Sequence, residues 1–89
     1  MSTRVTLLTR VGCHLCESAL ATVTEVLATS DAELRVIDVD SEADLAVKYT
    51  DHVPVLLVDE VLVAYWFVTA ETLKKALADG PESISVPPL

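Results

Sequence analysis

Two cysteines stand in Val11-Gly12-Cys13-His14-Leu15-Cys16, two residues apart, and they are the only cysteines in the chain. A Cys-x-x-Cys pair supports three kinds of chemistry. The first is thiol–disulfide exchange. If a helix starts at or just after Cys13, the two sulfurs share one turn. The unpaired N–H groups and positive dipole end of that helix then favour the Cys13 thiolate, bringing its pKa below the free value of about 8.5. Cys13 would attack a target disulfide, and Cys16, one turn further in, would resolve the mixed disulfide.

His14, between the two, stabilises that thiolate as a cation or donor, or else points to solvent and only shapes the turn. Glu17 works against the thiolate by like charge. The second chemistry is metal binding. Structural zinc takes four ligands, usually as two couples, and this chain offers one couple plus His14 and His52. A Cys13/Cys16/His52/Asp set, or a cluster shared by two copies, would be needed. The third reading is inert: two buried cysteines packing as small hydrophobes.

The flanking elements bear on the choice. Val5–Thr9 is short, rich in β-formers and ends near Gly12, which reads as a strand. After it, Leu15, Ala19, Val23, Val26 and Leu27 fall on one helical face. Leu34–Val39 reads as a second strand, with Asp38 and Asp40 as a solvated pair near its end. Ser41-Glu42-Ala43-Asp44 resembles a capping box for a short helix with Leu45 and Tyr49 on one face. Val55–Val58 and Val61–Trp66 read as strands around Asp59-Glu60. That dipeptide is not the favoured Asn-Gly type, so a turn wider than two residues is expected. Thr69 caps a last helix carrying Leu73, Ala76 and Leu77, and Gly80-Pro81 stops it. Tyr65-Trp66-Phe67 reads as core and sheet-edge packing, and any exposed part of it as a docking patch.

The order βαβαββα implies an α/β fold, a mixed four-stranded sheet with helices on both faces. At 89 residues the chain makes one domain, expected over 1–80, with a loosely held C-terminal tail over 81–89.

Composition excludes some function classes. The formal net charge is −8, and the six basic residues are scattered, so no cationic surface for nucleic acid is expected. The acidity serves solubility and selects for a partner with a basic face. The longest apolar stretch, 53–67, is broken by Pro54, Asp59 and Glu60 and reads as no membrane span. Met1-Ser2-Thr3-Arg4 runs straight into a strand without the pattern of a secretory leader. A reducing, cytoplasmic location is expected, where a cysteine couple is catalytic or metal-binding more often than a permanent staple.

Pro54 opens the third strand, where proline is tolerated. A cis Val53–Pro54 bond would instead turn the Val53 backbone outward beside the thiols, ready to pair with an extended substrate segment or with a glutathione adduct.

Thr9-Arg10-Val11-Gly12-Cys13-His14-Leu15-Cys16, Asp38-Val39-Asp40 and Val53-Pro54-Val55, with the element order, resemble the glutaredoxin-like branch of the thioredoxin superfamily. Within it, the chain resembles the small bacterial glutaredoxin-like proteins with a Cys-His-Leu-Cys site. The resemblance covers roughly Arg4 to Leu77. It implies a thioredoxin-like fold, Cys13 as nucleophile, Cys16 as resolving thiol, and a cis-proline at Pro54 facing a redox-active disulfide. It also implies a carboxylate near the dithiol as proton relay in some members, a second reading for Asp38 and Asp40. Three positions depart from the usual pattern. The Gly-Gly pair that helps hold glutathione is replaced by Tyr65-Trp66-Phe67-Val68-Thr69. The aromatic or proline inside the cysteine couple is His14-Leu15, and the proline before Gly12 is Val11.

The resulting expectation is a thiol–disulfide oxidoreductase using Cys13 and Cys16, with no bound cofactor or metal and glutathione as one candidate reductant. Val53, Pro54, Arg10 and His14 are its candidate substrate-binding residues. Arg10 either meets a carboxylate of a bound peptide or is an ordinary surface arginine. The partners would be a disulfide-bearing protein or small molecule and a reductase, in an electron-transport role. A thioredoxin-fold binding module without catalytic duty is the alternative, and a metal-binding protein a third.

Overall fold

The computed structural model describes residues 3–49 and 51–84. Strand β1 (Arg4–Thr9) is central, and its Val5, Thr6, Leu7 and Leu8 are all buried, as a strand covered on both faces requires. It is followed by α1 (His14–Leu27), β2 (Glu33–Asp38), a single 3-10 turn at Val39–Ser41, α2 (Ala43–Tyr49), β3 (Val55–Val58), β4 (Val61–Tyr65) and α3 (Ala70–Asp79). The sheet order is β2-β1-β3-β4. β1 runs parallel to β2, and the β1–β3 and β3–β4 pairs are antiparallel. The expected mixed four-stranded α/β sheet with three helices is therefore present.

The helices divide between the faces. Ala19 and Val23 of α1 and Leu73 and Ala76 of α3 pack with Val5, Leu7, Leu56 and Val58. On the other face Leu8, Val55 and Leu62 pack with Val39 and with Tyr49 of α2, and Leu45 adds to them. At roughly 25 cal/mol per Å2 of apolar area removed from water, these two layers are the main stabilising term.

Several local expectations are corrected. Leu15 does not join the buried face of α1: it is 42% exposed, and Cys16 takes the inward position with Ala19 and Val23. Ser41 does not cap α2. Its hydroxyl donates to the Asp38 carbonyl at 2.7 Å, and the Glu42 carbonyl accepts the first helical bond, from the Ala46 N–H. The β3–β4 turn is two residues after all, because Val58 pairs with Val61. Asp59 and Glu60 both take left-handed conformations, φ 50° and 69°. Arg4 holds them there. Its N–H donates to Asp59 Oδ1 (2.9 Å), its carbonyl accepts from the Asp59 N–H (2.7 Å), and its guanidinium lies 3.8 Å from Glu60.

A bulge in β4 sets which way its last residues face. Leu56 pairs with Ala64 but Leu57 pairs with Leu62, so Val63 is the extra residue. Val63 and Ala64 both face the α1/α3 layer, and Tyr65 is re-phased onto the α2 face with Leu62. Beyond α3, the Ile84 N–H donates to the Leu62 carbonyl at 3.1 Å and returns the chain to β4. The rest of the expected tail, 85–89, lies outside the described residues.

Candidate active site

Register decides which residues meet. Thr9 pairs with Asp38, Leu8 with Val55, and Val55 with Tyr65. The loop leaving β1, the turn leaving β2, the segment entering β3 and the chain leaving β4 therefore lie at one end of the sheet.

The first of these carries the thiols. The Cys13 N–H donates to the Arg10 carbonyl at 3.2 Å, closing a turn whose third residue, Gly12, has φ 80°. A Cβ at Gly12 would meet nothing within 4 Å, so the glycine is needed for its backbone angle and not for space. The turn delivers Cys13 in extended conformation as the N-cap of α1, where its Sγ accepts the Cys16 N–H at 3.1 Å. A sulfur in that position receives an orphan helix donor and faces the positive dipole end of α1. Cys13 and Cys16 are disulfide-bonded, with Cα atoms 5.2 Å apart. Cys13 is half-buried and Cys16 is 4% exposed, so Cys13 is the more accessible of the two.

The two polar neighbours occupy different places. The His14 side chain is 97% exposed, with Nδ1 3.8 Å from Glu17 Oε2. Arg10 Nε lies 3.0 Å from Asp40 Oδ2, joining the loop after β1 to the turn after β2. Asp38 closes that turn, its Oδ1 accepting the Asp40 N–H at 2.9 Å. Sequence reasoning alone leaves Arg10 and Asp40 unconnected. The signal for the pair is the parallel register, which sets positions just past Thr9 opposite positions just past Asp38.

At β3, the Val53–Pro54 peptide bond is cis, and Pro54 is fully buried. The Trp66 N–H is shared between the carbonyls of Pro54 (2.9 Å) and His52 (3.2 Å), and its Nε1–H donates to the Asp51 carbonyl at 2.9 Å. The indole stacks on the His52 ring, centroids 5.6 Å apart and planes 10° from parallel, while Tyr65 meets both rings edge-on. Trp66 has φ 61°, and the Phe67 N–H closes the tight turn onto the Tyr65 carbonyl at 2.7 Å. Within the run read as core, Phe67 is 71% exposed. Sequence reasoning misses Trp66 as the clasp of the Pro54 segment because nothing in an aromatic triplet announces a left-handed residue.

Beside the disulfide, on the α1 side of the sheet, lies an open groove of about 260 Å3 that Cys13 and Cys16 help to line and that is walled by Val11, Leu20 and Val36. Among the described residues, no three His, Cys, Asp or Glu side chains are grouped to hold a metal ion, and Cys13, Cys16 and His52 do not form one. No helix of the described residues is long and apolar enough to cross a membrane.

This architecture is shared with known proteins. Among solved structures, the chain is similar to protein Ne2328 from Nitrosomonas europaea, with TM-score 0.71 and 29% identity over 83% of this chain and 89% of that one. A similar likeness holds to XcR50 from X. campestris, with TM-score 0.66 and 27% identity over 86% of this chain and 99% of the other. A mutant thioredoxin from Halobacterium salinarum NRC-1 shares the fold at TM-score 0.68 and 22% identity, over 94% of this chain and 79% of its own. In sequence, the chain is 31% identical over 80 residues to the uncharacterized protein Rv0508 of Mycobacterium tuberculosis, covering 84% of this chain and 82% of that protein. Residues 4–78 match the family described as Glutaredoxin-like domain (DUF836). That match runs from the first strand through the cysteine loop and the Pro54 segment into the last helix, and the chain belongs to this glutaredoxin-like domain family.

Proposed function

We propose that the protein is a thiol–disulfide oxidoreductase working in the cytoplasm, with Cys13 as nucleophile and Cys16 as resolving thiol. The observation that carries this reading is the Cys13 Sγ, which caps α1 and accepts the Cys16 N–H at 3.1 Å, with its disulfide partner buried one turn inside. In the reduced protein the Cys13 thiolate attacks one sulfur of a target disulfide. A Cys13–target bond forms, the target bond breaks, and the leaving thiolate takes a proton from solvent. Cys16 then gives up its proton and attacks the Cys13 sulfur. The Cys13–Cys16 disulfide forms, and the target leaves carrying two electrons and two protons.

Val53 enters β3 at the same sheet end and offers its backbone as the pairing edge for the target segment, with Pro54 buried behind it. Arg10 serves through Asp40, holding the cysteine loop against the β2 turn. His14, open to solvent, meets the incoming group rather than the buried sulfur. A reductase dithiol, oxidised to its own disulfide, or two molecules of the monothiol glutathione, leaving as glutathione disulfide, return Cys13–Cys16 to the reduced form.

The exposed Phe67, beside the clasped Trp66, favours a second reading in which the same sheet end only docks a partner. A redox titration separates the two. The protein is equilibrated in dithiothreitol or glutathione buffers, alkylated and weighed intact. A reversible two-thiol step between roughly −180 and −280 mV is expected. A couple that stays reduced across that range would overturn the oxidoreductase reading.

A further inference from the structure

The Pro54 side of the dithiol is one approach to it; the groove on the α1 side is another. Three exposed apolar residues from three different elements line it together with Cys13 and Cys16: Val11 of the cysteine loop (90% exposed), Leu20 of α1 (37%) and Val36 of β2 (48%). Val36 is the register partner of Leu7, so it stands on the sheet face that α1 covers, but β2 is the edge strand and α1 leaves it open. A wall of this kind is costly to leave wet and gains when an apolar group enters. Its volume suits one or two side chains rather than a cofactor.

The rim is acidic. Glu17, with a side chain 81% exposed, borders the groove from α1. The cation at this rim, Arg10, is already engaged by Asp40. The whole chain carries a net charge of −8, which adds a long-range field of the same sign.

We infer that this groove selects the target: it takes the apolar side chain next to the cysteine of a protein disulfide whose flanking residues are Lys or Arg. The inference rests on the oxidoreductase reading and adds the partner's chemistry. An apolar neighbour fills the space between Val11, Leu20 and Val36, and a basic neighbour meets Glu17. Acidic disulfides are disfavoured at the same rim by like charge.

The test uses short peptides with one cysteine, each linked as a mixed disulfide to 2-thiopyridine, and the full chain reduced beforehand with dithiothreitol and desalted. Attack by Cys13 on the peptide sulfur forms the Cys13–peptide bond and releases 2-thiopyridone, which is followed by absorbance. A Leu-Cys-Lys peptide is expected to react about fivefold faster than Leu-Cys-Glu at low salt, with the ratio approaching one in 0.5 M salt. It is also expected to react about threefold faster than Ser-Cys-Lys, a preference lost in the Leu20→Gln/Val36→Thr double variant. Equal rates for the charged peptides, or a Leu preference that survives the double variant, would overturn the inference. Bis(2-hydroxyethyl) disulfide, small and neutral, is assayed alongside. If wild type reduces it while showing no peptide preference, the groove inference alone fails. If wild type reduces neither it nor any peptide, the oxidoreductase reading fails as well.

Discussion

Arg10 and Asp40 are joined at 3.0 Å across the gap between the loop that carries the dithiol and the turn that leaves the edge strand. Neither residue belongs to an element of regular α-helix or strand, and each follows one of two paired parallel strands. The ion pair is therefore a cross-brace on the loop that ends in Cys13.

Both partners are about half exposed, at 48% and 42%, so solvent screens the attraction. Arg10→Ala and Asp40→Asn are each expected to lower stability by no more than about 1 kcal/mol, with a coupling of about 0.5 kcal/mol in a double-mutant cycle read by urea unfolding. A coupling well above that would mean the pair is far less hydrated than its exposure indicates.

Cys13→Ser should abolish disulfide reduction altogether. Cys16→Ser should instead leave the first step intact and accumulate a mixed disulfide through Cys13, visible as an added mass on the intact protein. If Cys13→Ser leaves reduction unchanged, the capping sulfur is not the nucleophile. If the wild-type protein binds a partner but reduces nothing, the docking reading prevails.

Trp66 separates backbone conformation from side-chain packing. Its φ of 61° disfavours any residue with a Cβ, whereas its ring contributes the stack on His52 and the bond to the Asp51 carbonyl. Trp66→Ala loses the ring and keeps the unfavourable backbone angle; Trp66→Gly loses the ring and relieves the angle. Although Gly is the smaller residue, Trp66→Gly is expected to be the more stable of the two by roughly 1 kcal/mol in urea unfolding. The reverse order would show that the left-handed turn costs nothing there.

The same logic applies at the β3–β4 turn with the opposite outcome relative to wild type. Glu60 has φ 69° and, among the described residues, its side chain makes an exposed 3.8 Å contact with Arg4. Glu60→Gly removes that weak pair, supplies the residue the turn prefers, and should raise stability by about 0.5–1 kcal/mol. A rise in melting temperature of a few degrees would be the simplest readout, and a fall would mean the Arg4 contact outweighs the strain.

The sequence by itself determined the order of elements and the place of the thiols. Its warrants are local: Val5–Thr9 has β-formers in a run, Ala19, Val23, Val26 and Leu27 recur at helical spacing, and Gly12 precedes Cys13 where a chain must turn from strand to helix. Propensity, periodicity and the spacing of two cysteines act over a few residues and are visible in the chain directly. Where a local signal is ambiguous the expectation errs by one position, as with Leu15, expected on the face that Cys16 occupies.

Tertiary structure alone decided which distant residues meet. The parallel register of β1 with β2 brings Arg10 to Asp40, and the antiparallel registers bring Pro54 and Trp66 to the sheet end that holds Cys13. One inserted residue, Val63, re-phases Tyr65 onto the His52 side, and the open edge of β2 leaves Val36 lining the same groove as Cys13 and Cys16. Side chains in a sheet alternate with period two, so a single bulge or shift in pairing reverses every face beyond it. That choice is made by packing across the whole core. Even the two-residue turn at Asp59-Glu60 obeys this rule, because Arg4 of another strand holds an angle that the turn's own residues disfavour.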